Sequence, residues 1–255
     1  MEIFCCQNDI AWEDRRSNFA RIDQLLGGVE IRPGSLLIFP ELCTAGFTMN
    51  AASVAEPEDG ESLAFFAGLA NRYDSLILAG IPTQVTGGGV ANEAVCFAPT
   101  GEVGARYRKI HLFPLAGEGD HYLAGTEPVV TSMGGWKVAP FICYDLRFPE
   151  LFRIATRQGA ELLVVIASWP AVREEHWITL LRARAIENQA YVAGVNRCGR
   201  DPNLEYSGSS LIVSPTGEVL ARAGSGPEII RATLDRGEFD SWRSRFPALA
   251  DMKWI

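Results

Sequence analysis

The chain of 255 residues carries 23 basic and 31 acidic side chains, a net charge of -8, with 47% hydrophobic and 21% charged residues. This is the composition of a soluble globular protein with a large core, and without a Lys/Arg cluster it excludes nucleic acid and anionic membrane as natural partners. The apolar runs are strand-sized, too short to span a bilayer. Met1-Glu2 leads into a strand without the charged-then-apolar start of a signal peptide, so the expected location is the cytoplasm.

Residues 2–8 predict a strand and 12–26 a helix, with Trp12, Phe19, Ile22, Leu25 and Leu26 on its apolar side. Leu36–Phe39 is a continuous apolar run between Pro33-Gly34 and Pro40, a short buried strand followed at once by Glu41. An amphipathic helix over 61–73 and a strand over 76–80 come next. Residues 81–110 read as hairpins turning at Gly87-Gly88-Gly89 and Pro99-Thr100-Gly101. The Gly-rich stretch 111–128 has no periodicity, and loops of that length inside a compact domain tend to be functional.

Val138–Ile142 is a further apolar strand, ending at Cys143, and a helix over 150–158 starts behind Pro149. Leu162–Ala167 is a strand, 174–189 a helix carrying Trp177, Leu180, Leu181 and Ala185, and Tyr191–Val195 a strand. A hairpin over 208–223 turns at Pro215-Thr216-Gly217, and a last strand over 228–234 precedes an acidic and aromatic tail. Buried strands alternating with helices give the α/β class. The turn Pro99-Thr100-Gly101-Glu102-Val103 recurs as Pro215-Thr216-Gly217-Glu218-Val219, and the strand ending at Pro40 resembles the one ending at Trp169-Pro170. Turns reuse such residues for local reasons. The two echoes nevertheless support one domain over 1–255 built from two similar halves, with two sheets face to face and helices outside.

The six cysteines show no CxxC, and no two of the three histidines are three to five residues apart, so no metal site is expected. Cys143 stands at a strand-to-helix elbow, where a nucleophile is held rigidly beside backbone N–H groups. A free cysteine also commonly does no more than pack. His111, His121 and His176 have no distinct claim as its base and read equally well as surface or structural histidines. Glu41, at the end of an apolar strand, is placed to accept and return a proton, or to cap a helix or face solvent. Lys109 closes a hairpin strand before the long loop; it is either a solvated strand end or a cation aimed at a developing oxyanion. Glu41, Lys109 and Cys143 each terminate a predicted strand, and α/β sheets gather their ligand sites at carboxyl ends of strands. Base, cation and nucleophile together point to a thiol-dependent acyl-transfer enzyme.

The sequence resembles the nitrilase superfamily of carbon–nitrogen hydrolases, whose signature is Glu–Lys–Cys. The matching segments are Phe39-Pro40-Glu41 with Thr44, Gly46 and Phe47; Tyr107-Arg108-Lys109-Ile110-His111-Leu112-Phe113; and Cys143-Tyr144-Asp145-Leu146-Arg147-Phe148-Pro149-Glu150. The third looks like the amidase branch. Trp169-Pro170-Ala171-Val172-Arg173, His176-Trp177 and the run from Arg184 to Gly194 look like the bacterial omega-amidases, which hydrolyse the terminal amide of 2-oxoglutaramate and 2-oxosuccinamate. The resemblance implies a four-layer α-β-β-α sandwich, a homodimer formed through helices and no cofactor. It implies that Cys143 attacks the amide carbon and that Glu41 moves the protons. Lys109 and the backbone N–H of Tyr144 then hold the oxyanion, and Glu118 positions Lys109. Ser168 stands where the family often has Asn, and Gly119 and Asp120 set the 116–121 loop apart from its usual form.

For the substrate, Arg173 offers a fork that matches a carboxylate and Trp169 a pocket wall. Arg147 is read as an ion-pairing brace of the elbow. The alternatives are an aliphatic amide, an N-carbamoyl amino acid or a nitrile as substrate, a non-catalytic scaffold that keeps the fold, and a redox thiol, for which Cys96 and Cys198 are the nearest cysteines in sequence.

Overall fold

The computed structural model describes residues 1–253; Trp254 and Ile255, the end of the tail, lie outside the described residues. The first half of the chain forms β1 (Glu2–Gln7), α1 (Arg15–Leu26), β2 (Leu36–Ile38), α2 (Ala51–Val54), α3 (Glu61–Tyr73), β3 (Leu76–Gln84), β4 (Val90–Phe97) and β5 (Val103–Arg108). Strands β1 to β4 are buried on both faces, and their period of two sorts the side chains. Ile3, Cys5, Leu36, Ile38, Leu78, Ala94 and Cys96 join the core shared with the second half. Phe4, Cys6, Leu37, Phe39, Ile77, Ala79, Val95 and Phe97 face the other way and pack with Ile22 and Leu26 of α1 and Phe66 and Leu69 of α3.

The second half forms β6 (Thr131–Met133), β7 (Trp136–Ile142), α4 (Pro149–Arg157), β8 (Leu162–Ala167), α5 (Glu174–Asn188) and β9 (Tyr191–Asn196). A small hairpin, β10 (Cys198–Arg200) and β11 (Glu205–Ser207), precedes β12 (Leu211–Val213), β13 (Val219–Arg222), β14 (Glu228–Thr233) and α6 (Arg236–Arg245). Phe152 and Ala155 of α4 and Trp177, Leu181 and Ala185 of α5 close the outer face of this half. The layers are therefore helix, sheet, sheet, helix.

The two six-stranded sheets run β14-β1-β2-β3-β4-β5 and β13-β12-β9-β8-β7-β6. Each has three adjacent parallel strands, β1-β2-β3 and β7-β8-β9, extended by an antiparallel pair beyond the third strand and one antiparallel strand beside the first. The repeated Pro-Thr-Gly turn falls at the same place in both, between β4 and β5 and between β12 and β13. Two reversals return β5 to the direction of β3, so the carboxyl ends of β2, β3 and β5 share one edge.

Several boundaries differ from expectation. The first helix begins at Arg15 because the Asp14 carboxylate accepts from the Ser17 N–H at 3.0 Å, capping the helix there and leaving Trp12 outside it. The long loop holds two 3-10 turns, over Pro114–Ala116 and Glu118–Asp120. The tail is largely helical: Asp235 caps α6 by accepting from Glu238 N–H at 2.8 Å, Arg243 and Arg245 suit its last turn, and of its residues only Phe239 is buried. Among the described residues no helix is long and apolar enough to cross a membrane.

Candidate active site

Glu41, Lys109 and Cys143 follow the ends of β2, β5 and β7, and the sheets bring them to one edge. After β2 the chain crosses close over β3: Gly80 N–H donates to Pro40 O at 3.2 Å and Cys43 N–H to Gly80 O at 2.9 Å. A Cβ on Gly80 would lie 2.4 Å from Pro40 O and 2.6 Å from Glu41 Cα. Only glycine lets Glu41 sit so near the strand. Leu42 then takes φ +44°.

Glu41, Lys109 and Glu118 are fully buried. The Lys109 ammonium donates to Glu41 Oε1 at 2.8 Å and to Glu118 Oε1 and Oε2 at 3.1 and 2.9 Å. Ser168 N–H, just past β8, holds Glu41 Oε2 at 2.8 Å, and Phe113 N–H holds Glu118 Oε2 at 2.6 Å. Asn92 was missed in the sequence, yet its amide donates to both carboxylates, at 2.8 Å to Glu41 and 3.1 Å to Glu118. The available signal is a polar residue within a strand that is buried throughout. Burial by itself depresses the Lys109 pKa, but the adjacent Glu41 and Glu118 carboxylates reverse the effect and hold it above the ordinary lysine range.

Cys143 opens a tight 3-10 turn with φ +47°, an uncommon conformation for a residue with a side chain. The turn is pinned by Asp145, a buried carboxylate that sequence reading gave no role. Oδ2 accepts from Ile142 N–H at 3.0 Å and from Tyr107 O–H at 2.7 Å, and Oδ1 accepts from His111 N–H at 2.9 Å. His111 Nδ1 lies 3.0 Å from the same Oδ1, and its ring stacks on Phe148. Burial pushes the Cys143 thiol well above its ordinary value, Glu41 pushes it further, and Lys109 works against them without prevailing.

Cys143 lies on a cleft with Tyr144, Ser168, Trp169, Arg173 and Arg147. Phe47, Phe113, Pro170 and Leu204 complete its lining. Trp169 is fixed by its N–H to Asn196 Oδ1 at 2.7 Å and by its indole N–H to Arg173 O at 2.8 Å. The Arg173 guanidinium lies 5.7 Å over the Phe113 ring. Arg147 corrects the sequence reading. Among the described residues it forms no ion pair; its guanidinium lies 4.8 Å over the Trp169 ring and lines the cleft. The brace comes from α5, where the Arg184 guanidinium donates to Leu146 O at 2.7 Å.

The arrangement offers a thiol on a partly aromatic cleft with two guanidinium groups along its walls, and a carboxylate and a cation buried beneath its lining. The family model for carbon-nitrogen hydrolases matches residues 3–244. The omega-amidase YafV of Yersinia enterocolitica is 41% identical over 253 residues, covering 98% of this chain and 96% of its own. The 2-oxoglutaramate amidase of Bacillus subtilis is 35% identical, covering 98% of this chain and 97% of its own. The crystal structure of XC1258 from Xanthomonas campestris, a CN-hydrolase superfamily protein with an arsenic adduct in its active site, superposes with a TM-score of 0.91. It is 33% identical and covers 100% of this chain and 98% of its own.

Proposed function

The chain belongs to the carbon–nitrogen hydrolase family, and from that premise we propose that it is an omega-amidase releasing ammonia from the terminal amide of small carboxylated amides such as 2-oxoglutaramate and 2-oxosuccinamate. The observation that carries this reading is the fully buried Glu41–Lys109–Glu118 network set beside Cys143.

In this reading Cys143 Sγ attacks the amide carbon while its proton passes to Glu41. The oxyanion is held by the Lys109 ammonium and the Tyr144 backbone N–H. As the tetrahedral adduct collapses the C–N bond breaks, Glu41 gives its proton to the departing nitrogen, and ammonia leaves behind a thioester on Cys143. Water then adds to the thioester carbon, losing a proton to Glu41. The C–S bond breaks, and the proton returns to sulfur. Glu118 and Asn92 hold Lys109 and Glu41 in place throughout. The raised thiol pKa supports this division of labour, because a thiol kept protonated at rest needs a base at the moment of attack.

Arg147 and Arg173 favour a carboxylated substrate over an aliphatic amide, an N-carbamoyl compound or a nitrile. Two guanidinium groups line one small cleft, stacked on aromatic rings, and a carboxylate is the group a guanidinium matches in geometry as well as charge. Trp169 forms the wall between strand and helix. We also read the chain as one domain of two like halves. It would act in the cytoplasm, since six free thiols, five of them buried, suit a reducing compartment. It would act as a homodimer through its helical faces, as the family resemblance implies.

The test is ammonia release across the four substrate classes, with acid-quench trapping of a thioester on Cys143. The expected result is release from 2-oxoglutaramate or 2-oxosuccinamate, with an acylated Cys143 and no turnover by Cys143→Ala. Brisk release from another class alone would move the substrate; full activity of Cys143→Ala would end the mechanism.

A further inference from the structure

Arg147 reaches the cleft from the nucleophile elbow, but what aims it comes from a different element. Its Nη2 lies 3.3 Å from Nδ1 of His176, an exposed residue in the first turn of α5. A guanidinium has donors only, so Nδ1 must be the acceptor, and the imidazole that makes this contact is neutral with its proton on Nε2. The Trp169 ring under the guanidinium, 4.8 Å from its carbon, fixes the second direction. The partners that orient Arg147 are thus an indole face and a neutral imidazole.

The acids beside His176 are engaged elsewhere. Glu174 Oε1 accepts from Ser209 O–H at 2.5 Å and from the Arg222 guanidinium at 3.2 Å, while Glu175 Oε1 accepts from Thr179 O–H at 3.1 Å. The choice of a neutral partner has a physical consequence. A carboxylate at position 176 would hold Arg147 as firmly, yet it would cancel the charge that a substrate carboxylate is drawn to. An imidazole acceptor orients the fork and leaves its charge whole.

We propose that His176 is a positioning residue for substrate recognition, holding Arg147 toward the carboxylate of the substrate without neutralising it. This rests on the amidase reading and on Arg147 as a carboxylate contact. His176 touches neither the reacting atoms nor the substrate. Its effect falls on KM for carboxylated amides, and it is absent for an amide of the same length without the carboxylate.

The experiment compares His176→Asn, His176→Ala and His176→Glu, with KM and kcat measured separately on 2-oxoglutaramate and on pentanamide, and folding checked by thermal melting. The Asn variant, whose amide oxygen replaces Nδ1 as acceptor, stays near the native KM. Loss of the acceptor in the Ala variant raises KM for 2-oxoglutaramate about 3- to 10-fold. The Glu variant raises it about 10- to 100-fold, since its carboxylate competes for Arg147. In all three, kcat on 2-oxoglutaramate and the response to pentanamide hold steady. A Glu variant with native KM, or an Ala variant equally impaired on both amides, overturns the role of His176. A native protein that hydrolyses no carboxylated amide instead overturns the amidase reading, and this role with it.

Discussion

The Lys109 ammonium lies 2.8 Å from Glu41 Oε1 with neither side chain reached by solvent, and Glu118 meets the same ammonium at 2.9 Å. Two buried carboxylates therefore depend on one cation. Lys109→Met removes it and leaves them facing each other, which costs about 3–5 kcal/mol, the penalty for breaking a buried pair. Urea unfolding reads this as a lower midpoint. With Lys109 as the proposed oxyanion donor, turnover falls by roughly 10²–10³. Adding Glu118→Gln to Lys109→Met removes one of the stranded charges, so stability recovers in part while activity does not. A single variant as stable as the native chain would mean that the three groups are not all ionised.

The elements that position this network were the legible part of the sequence. Leu36–Phe39 and Val138–Ile142 are continuous apolar runs, and the residue that follows such a run is placed by the sheet itself, which is how Glu41 and Cys143 could be picked out. Lys109 follows the mixed strand Val103–Arg108 and was legible only as the end of a hairpin. Asn92 could not be picked out, because its partners lie 51 and 26 residues away on other elements, and nothing local marks which buried polar residue meets them. Asp145 and Arg147 stand two residues apart in the sequence, and nothing local tells which partners each will meet. Folding gives the carboxylate to Tyr107, His111 and Ile142, and turns the guanidinium onto Trp169. Helix α6 went unread because nearly all of its surface is polar; its helical character rests on the Asp235 cap and the burial of Phe239.

The Cys143 thiol gives a pH prediction whose sign follows from its surroundings. Burial first, and then the Glu41 and Glu118 charges, raise its pKa well above 9.0, with Lys109 opposing. The resting thiol is protonated at neutral pH. Its alkylation by iodoacetamide is slow near pH 7 and rises with pH without levelling off below about pH 9, the ordinary range for a thiol. An early plateau would show a resting thiolate and remove the need for Glu41 at the first step. The same logic governs stability. Burial raises Cys96 to about 12 and pushes Cys5, Cys6 and Cys43 up as well. Above the ordinary thiol value of 9.0 the unfolded chain loses protons that the fold retains. Stability is therefore fully present below that pH and declines as pH rises toward 12, where Cys96 ionises in the fold.

Asp145→Asn tests whether the elbow must be pinned for Cys143 to work. The native carboxylate has an acceptor on each side: Oδ2 serves Ile142 N–H and Tyr107 O–H, and Oδ1 serves His111 N–H. An amide of the same shape has one oxygen only. If that oxygen turns to Ile142, the NH2 group faces His111 N–H; if it turns to His111, the NH2 group faces Ile142 N–H. The Tyr107 hydroxyl can rotate to accept, but a backbone N–H cannot, so one of them loses its partner in either orientation. That costs about 1–3 kcal/mol of stability, measured as a lower melting temperature. The larger effect is on chemistry, because Ile142 precedes the proposed nucleophile and Cys143 sits at φ +47°, a conformation its surroundings must enforce. A displacement of about 1 Å at a reacting atom costs roughly 10²-fold in rate, so kcat falls by about 10- to 100-fold while KM for the amide changes little. Native kcat in a variant with a lowered melting temperature would show that Asp145 serves the fold alone.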